Sequence, residues 1–173
     1  RRKRMTPQDT CPHPDMTDKR QRYQELLPQI KAFADSGDHP ISILANCAAL
    51  MKSTFPTAYF WVGFYIVDHE ELYLGPFQGT IACTRIKCGR GVCGTAWQER
   101  KALVVDDVEA FPGHIACSSL SRSEIVVPVI LDSVMLGEID IDSTERATFD
   151  DTDREYLEQM AQAIAPCMQP LAR

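Results

Sequence analysis

The hydrophobic pattern of this chain changes period twice, and that change constrains its fold more than any other feature. From about residue 18 to 35, Tyr23, Leu26, Leu27, Ile30, Phe33 and Ala34 recur at helical spacing. A second helical stripe over about 41–54 carries Ile43, Leu44, Cys47, Leu50 and Met51. From Ala58 to Val67 the period drops to two, with Val62, Phe64 and Ile66 alternating with Trp61, Gly63 and Tyr65. Glu71 to Phe77 reads as a second strand after the turn Asp68-His69-Glu70, and Ala102 to Val105 as a short third. Ile125 to Leu131 and Val134 to Asp142 form a hairpin around Asp132-Ser133. Helical spacing returns over 152–168, where Tyr156, Leu157, Met160, Ala161 and Ile164 make the stripe and Thr152 and Glu155 have capping-box spacing. Helices at both ends with antiparallel strands between them describe an α+β domain.

Other segments are defined by what they lack. Residues 1–17 are polar, contain Pro7, Pro12 and Pro14, and show no periodicity, so a flexible N-terminal tail is expected there. The rest, 18–173, fits one domain by length. Pro28 predicts a kink or break in the first helix. Residues 79–94 form a loop rich in glycine and cysteine, followed by a short helix at about 92–100. Residues 106–123 read as irregular, with a turn at Pro112-Gly113. A loop of that length inside one domain is usually functional.

Charge and cysteine usage narrow the function. The net charge is -6, and the first four residues are all basic. Without them, 14 basic side chains face 24 acidic ones. An acidic body lacks the basic footprint of a nucleic-acid binder and suits a cationic or zwitterionic small ligand better. No apolar run has the length of a membrane span, and no signal-peptide core is visible. A soluble, cytoplasmic protein is therefore expected. Seven cysteines, at 11, 47, 83, 88, 93, 117 and 167, make an odd set in a chain of this size, unlike a secreted disulfide scaffold.

Three groups of residues carry chemistry. Glu138, Asp140 and Asp142 alternate with Ile139 and Ile141, so the pleat puts the carboxylates on one face. That face is either solvated or the acidic wall of a pocket. In a pocket, three like charges would hold a cation or keep protons. Trp61 and Tyr65 share a face of another strand, either as core or as the aromatic wall of such a pocket. Cys83, Cys88, Cys93 and Cys117 allow either a metal site or redox chemistry. Their x4 spacing is unlike paired Cys-x2-Cys zinc knuckles, and only His114 stands near as an imidazole. Redox chemistry asks for less: a thiolate, a second thiol in reach and an approach path.

The stretches LGPFQGTIACTRIKCGRGVCGTA (74–96), VVDDVEAFPGHIACSS (104–119), SEIVVPV (123–129) and GEIDIDS (137–143) resemble the free methionine-(R)-sulfoxide reductases. These are GAF-domain enzymes that act on the free amino acid rather than on protein-bound residues. The resemblance covers about 58–165. It implies a GAF-like domain, with a central antiparallel sheet flanked by N- and C-terminal helices. It implies that Cys117 attacks the sulfoxide, that Cys83 is the principal resolving cysteine and that Cys93 is auxiliary. The implied substrate pocket is Trp61, Tyr65, Asp106, Glu124, Asp140 and Asp142. Homodimers are common in the family. Cys88 departs from it, standing where an aromatic residue is usual, as neutral packing or as an alternative disulfide partner. Cys11 and Cys167 match no motif.

The reaction this implies uses no metal and no organic cofactor. A carboxylic acid, Glu124 or the Asp140/Asp142 pair, protonates the sulfoxide oxygen as Cys117 attacks sulfur. Cys117 becomes a sulfenic acid, Cys83 condenses with it, and thioredoxin or a similar dithiol restores both thiols. The alternative is a non-catalytic GAF module that binds a ligand and senses redox state through its cysteines.

Overall fold

Strand β1 (Trp61–Asp68) runs through the middle of the molecule because it is apolar on both faces and buried along nearly its whole length. The computed structural model describes residues 14–115 and 117–173. Its elements are α1 (Pro14–Ala34), α2 (Pro40–Thr54), β1, β2 (Glu71–Gln78), β3 (Arg85–Lys87), α3 (Gly91–Glu99), β4 (Leu103–Val105), β5 (Ser123–Leu131), β6 (Val134–Ser143) and α4 (Asp151–Met168). The strands form one antiparallel sheet in the order β3-β2-β1-β6-β5-β4. The α+β domain with a central antiparallel sheet and terminal helices, expected from the sequence, is the observed architecture.

The two faces of the sheet bury different things. Val62, Phe64 and Ile66 of β1, Ile125 and Val127 of β5, and Ile139 and Ile141 of β6 pack with α1, α2 and α4 in the main core. The alternate residues, Trp61, Tyr65 and Val67 of β1 and Val126 of β5, point to the other side. There they pack with Val92, Cys93 and Ala96 of α3. Period-two alternation thus separates a structural face from a face closed by α3 and two loops.

Several local details differ from the sequence expectation. Helix α1 runs through Pro28 without a break, held by Tyr23, Leu26, Leu27 and Ile30 in the core, where tertiary packing outweighs one lost backbone bond. It begins at Pro14, inside the expected 1–17 tail; the remainder of that tail, with Cys11, lies outside the described residues. The α4 capping box is Asp150 with Asp153, not Thr152 with Glu155. The Asp150 carboxylate accepts from the Thr152 and Asp153 amides, and the Asp153 carboxylate accepts from the Asp150 amide at 2.8 Å. Asp153 also accepts from the Lys19 Nζ at 2.8 Å, tying the starts of α1 and α4 together. Strand β3 lies inside the expected Gly/Cys-rich loop, and it has no alternation long enough to announce it; pairing with β2 defines it. The β5–β6 turn falls on Asp132 and Ser133, both at positive φ (50° and 65°), as a tight two-residue hairpin requires.

Candidate active site

The register of the sheet assembles the site. On β6, Asp142 lies opposite Trp61 of β1 on one side and Glu124 of β5 on the other. Asp140 lies opposite Gly63 and Val126, and Glu138 opposite Tyr65 and Pro128. A Cβ at Gly63 would fall 2.7 Å from the Trp61 ring and 2.4 Å from the Phe77 Cβ, so only glycine lets Trp61 lie across the strand here. The carboxylate face is therefore a pocket wall rather than a solvated surface. Glu124, Glu138 and Asp140 are buried and Asp142 is partly exposed.

A cleft of about 570 Å³, counting its open mouth, lies over this wall. Trp61, Tyr65, Cys93, Cys117, Glu124, Asp140 and Asp142 all line it. Asp106 does not: its side chain is exposed and only its backbone carbonyl is engaged, by the Ala147 amide. His114, Arg90 and Ser118 also line the cleft, and sequence reasoning assigned them no role. His114 follows the Pro112-Gly113 turn and stands three residues before Cys117, which was the available signal.

Cys83 and Cys117 are joined by a disulfide, with Cα atoms 5.6 Å apart. Cys117 is exposed and Cys83 half-buried. The two aromatic residues of β1 do more than wall the cleft. The Tyr65 hydroxyl donates to the Cys83 carbonyl at 2.8 Å, and the Trp61 indole N–H donates to the Thr80 carbonyl at 2.9 Å. The loop carrying Cys83 is thus fastened to the central strand. Burial and the nearby carboxylates hold the Tyr65 hydroxyl protonated.

Cys88 and Cys93 stand apart from this pair. Cys88 is exposed and free, whereas Cys93 is buried on α3. A Cβ on Gly94 would meet the Lys87 carbonyl at 2.4 Å, so α3 can press against the 87–90 turn only with glycine there. The Cys93 thiol points at Glu124 Oε1, 3.9 Å away. Burial, then the charges of Asp140, Glu138, Glu124 and Asp142, push its thiol pKa well up, so it stays protonated.

The carboxyls share protons. Burial pushes Glu124 well above the usual carboxylate range, and the Asp140 and Asp142 charges push it further. Burial also raises Asp140, but hydrogen bonds from Glu124 and Cys93 and the charge of His114 oppose the rise. Asp142 is pushed well up by burial and then by Asp140. The proton therefore favours Glu124, with Asp140 as the group best placed to be ionised. Burial lowers His114, against the pull of Asp140. The Cys93 sulfur and the Glu124 and Asp140 oxygens lie within 4.8 Å of one another, a donor set that a thiophilic divalent cation could also use.

Glu138 is the outlier of the wall. It is 0% exposed, and neither carboxyl oxygen has a hydrogen-bond partner among the described residues. Burial, then the Asp140 charge, pushes its pKa well up. The folded chain keeps this proton while the unfolded chain gives it up above pH ~4. Glu138 therefore erodes stability as pH rises from the unfolded carboxylate range towards its own folded value. Glu138→Met is expected to stabilise the protein at neutral pH by about 1–3 kcal/mol. Thermal melts across a pH series check this: the gain should be largest at neutral pH and shrink below pH ~4, where the unfolded carboxyl is protonated too, and a Met variant less stable than the parent at neutral pH would refute it.

A family model described as a GAF domain matches residues 42–169. The structure of a free methionine-R-sulfoxide reductase from Neisseria meningitidis, in complex with its substrate, is 50% identical with a TM-score of 0.83, covering 87% of this chain and 90% of that one. The structure of fRMsr of Staphylococcus aureus, also in complex with substrate, is 44% identical with a TM-score of 0.78, over 84% of this chain and 95% of that one. The free methionine-R-sulfoxide reductase of Escherichia coli K12 is 42% identical, over 80% of this chain and 83% of its own length.

Proposed function

Since the chain belongs to the free methionine-(R)-sulfoxide reductases, a family of GAF-domain enzymes, we propose that it reduces free methionine (R)-sulfoxide at the cleft above its carboxylate wall. The observation that carries this reading is the Cys83–Cys117 disulfide, whose Cys117 lines that cleft. A chain that had just spent its two thiols on a sulfoxide would hold this bond.

The reduced enzyme starts with both cysteines free. Cys117 thiolate attacks the sulfoxide sulfur and the Glu124 proton goes to the sulfoxide oxygen. Methionine leaves, and Cys117 keeps the oxygen as a sulfenic acid. The Cys83 thiol attacks the Cys117 sulfur; hydroxide departs and takes the thiol proton to form water. The disulfide results. The proton that Cys117 gave up on becoming a thiolate returns Glu124 to its acid form. A dithiol donor of the thioredoxin kind then reduces the disulfide.

Substrate recognition follows from charge. Asp140, the carboxyl best placed to be ionised, offers its charge to the ammonium group of a free amino acid, with Asp142 beside it, and Trp61 and Tyr65 face its apolar part. A peptide nitrogen cannot supply that cation, so protein-bound sulfoxide would leave the carboxylates buried and unpaired. Asp106, which the family resemblance places in the pocket, does not line the cleft as it stands. Cys93 remains a protonated thiol beside Glu124 and serves as an auxiliary reductant, not as the attacking group. A reducing cytosol suits an enzyme with Cys47, Cys88, Cys93 and Cys167 free. No helix among the described residues is long and apolar enough to cross a membrane.

The direct test supplies each sulfoxide enantiomer with thioredoxin and its reductase and follows reductant oxidation. Turnover of the R form alone supports the reading; binding without turnover would make the chain a sensing module. Cys83→Ser separates the steps. It is expected to release about one methionine per chain, as sulfenic-acid chemistry allows without a resolving thiol, and then to stall with thioredoxin. Unimpaired thioredoxin-linked turnover in that variant would move the resolving role to Cys93 or Cys88.

A further inference from the structure

Five large apolar side chains are exposed among the described residues: Ile41, Ile81, Ile115, Leu120 and Val134. Three of them belong to the two segments joined by the disulfide. Ile81 stands two residues before Cys83, Ile115 two before Cys117, and Leu120 three after it. Ile81 is 89% exposed and Leu120 55%. A single exposed isoleucine means little, but a group gathered around an open disulfide marks a contact surface.

The charge around this group is opposite to that of the chain. Residues 79–98 carry Lys87 and Arg90, besides an Arg85 that pairs with Glu71, and no carboxylate, in a chain of net charge -6. Residues 111–123 carry Arg122 and no carboxylate. Arg90 lines the cleft mouth, and the Arg122 guanidinium donates to the Ser119 and Ser121 carbonyls at 2.8 and 3.1 Å. The disulfide therefore sits in an apolar collar with a basic edge. Its two residues are unequal: Cys117 is exposed, while half-buried Cys83 is held through its carbonyl by Tyr65.

We propose that Ile81, Ile115 and Leu120, with Arg90 and Arg122 at their edge, form the docking surface for a protein dithiol donor, whose reactive thiol lies on an apolar surface edged with carboxylates, and that this thiol attacks Cys117. The proposal rests on the disulfide being a turnover intermediate. The donor thiolate bonds to the Cys117 sulfur, the existing S–S bond breaks, and Cys83 leaves as a thiolate. The donor's second thiol then attacks the donor's first sulfur, and Cys117 leaves as a thiolate. The donor ends as a disulfide, and its two protons end on Cys83 and Cys117. Substrate and donor meet the same face of the molecule, so the donor docks only after methionine has left.

The test compares thioredoxin with dithiothreitol as reductant at saturating sulfoxide. Leu120 lies outside the cleft lining. Leu120→Asp is expected to lower kcat/KM for thioredoxin about tenfold, the loss of one apolar anchor, and to leave dithiothreitol-driven turnover unchanged. Raising salt should weaken the thioredoxin reaction of the parent and not the dithiothreitol one. A thioredoxin with its second thiol replaced by serine should be trapped on the Cys117 peptide, read by mass spectrometry. Unchanged thioredoxin kinetics in Leu120→Asp, an equal loss with both reductants, or trapping on Cys83 would each overturn the proposal. So would a Leu120→Asp variant that only dissociates a dimer, which would assign the face to a second copy. Failure of dithiothreitol-driven turnover in the parent would instead remove the reductase reading itself.

Discussion

Cys117→Ser is expected to abolish methionine formation, with a loss of about a thousandfold or more, because a serine hydroxyl stays protonated and cannot accept the sulfoxide oxygen as a stable sulfenic acid. The loss should be the same with dithiothreitol and with thioredoxin, since the missing step precedes both. Methionine measured in a single turnover decides the matter: a burst near one per chain would remove Cys117 from the attacking role. The structure explains why this thiol and not Cys93 is expected to attack. Cys117 lines the cleft from an exposed loop, whereas Cys93 is buried against carboxyls that keep it protonated.

The second large effect concerns the proton. Glu124→Gln keeps the shape of the side chain and removes the acid, and kcat is expected to fall on the order of 10²–10³-fold, the usual contribution of a positioned general acid. The pH profile carries the sign. Glu124 is raised by burial and by Asp140 and Asp142, so the parent holds the proton at neutral pH and loses activity as pH rises through that raised value. The glutamine variant should have lost this alkaline limb. A limb that persists in Glu124→Gln would assign the donor to Asp140 or Asp142. The same substitution removes a buried carboxyl from the wall, so the variant should not be less stable at neutral pH; a folding defect would not account for the loss.

Much of this arrangement was legible in the residues. Alternation in 58–67 and 134–142 gave the correct faces, because a pleat leaves no third choice for Trp61, Tyr65, Asp140 and Asp142. What alternation could not give was whether the carboxylate face met water or a pocket. That depends on α3 and two loops folding back over the sheet, a long-range event without a local signal. The same limit applies to β3, which exists through its pairing with β2. The α4 cap lies two residues before the Thr152/Glu155 spacing because Asp150, Asp151, Thr152 and Asp153 are all capping residue types. The pair that forms the box is also the pair that Lys19 of α1 contacts. Asp106 rests on motif position alone; its side chain is exposed and outside the cleft lining. Tyr65 was identified for its ring, while its hydroxyl holds the Cys83 loop in place.

The cross-link between Cys83 and Cys117 joins residues 34 apart in sequence. Closing a loop of that size restricts the unfolded chain and, on chain-entropy grounds, favours the folded one by about 4 kcal/mol. Under the proposed cycle the enzyme would toughen each time it spends its thiols and soften each time a donor repays them. Its resistance to heat and to proteases would then follow the supply of reductant. A cell short of reducing power would hold its stock of this enzyme in the durable form, idle but preserved until donors return.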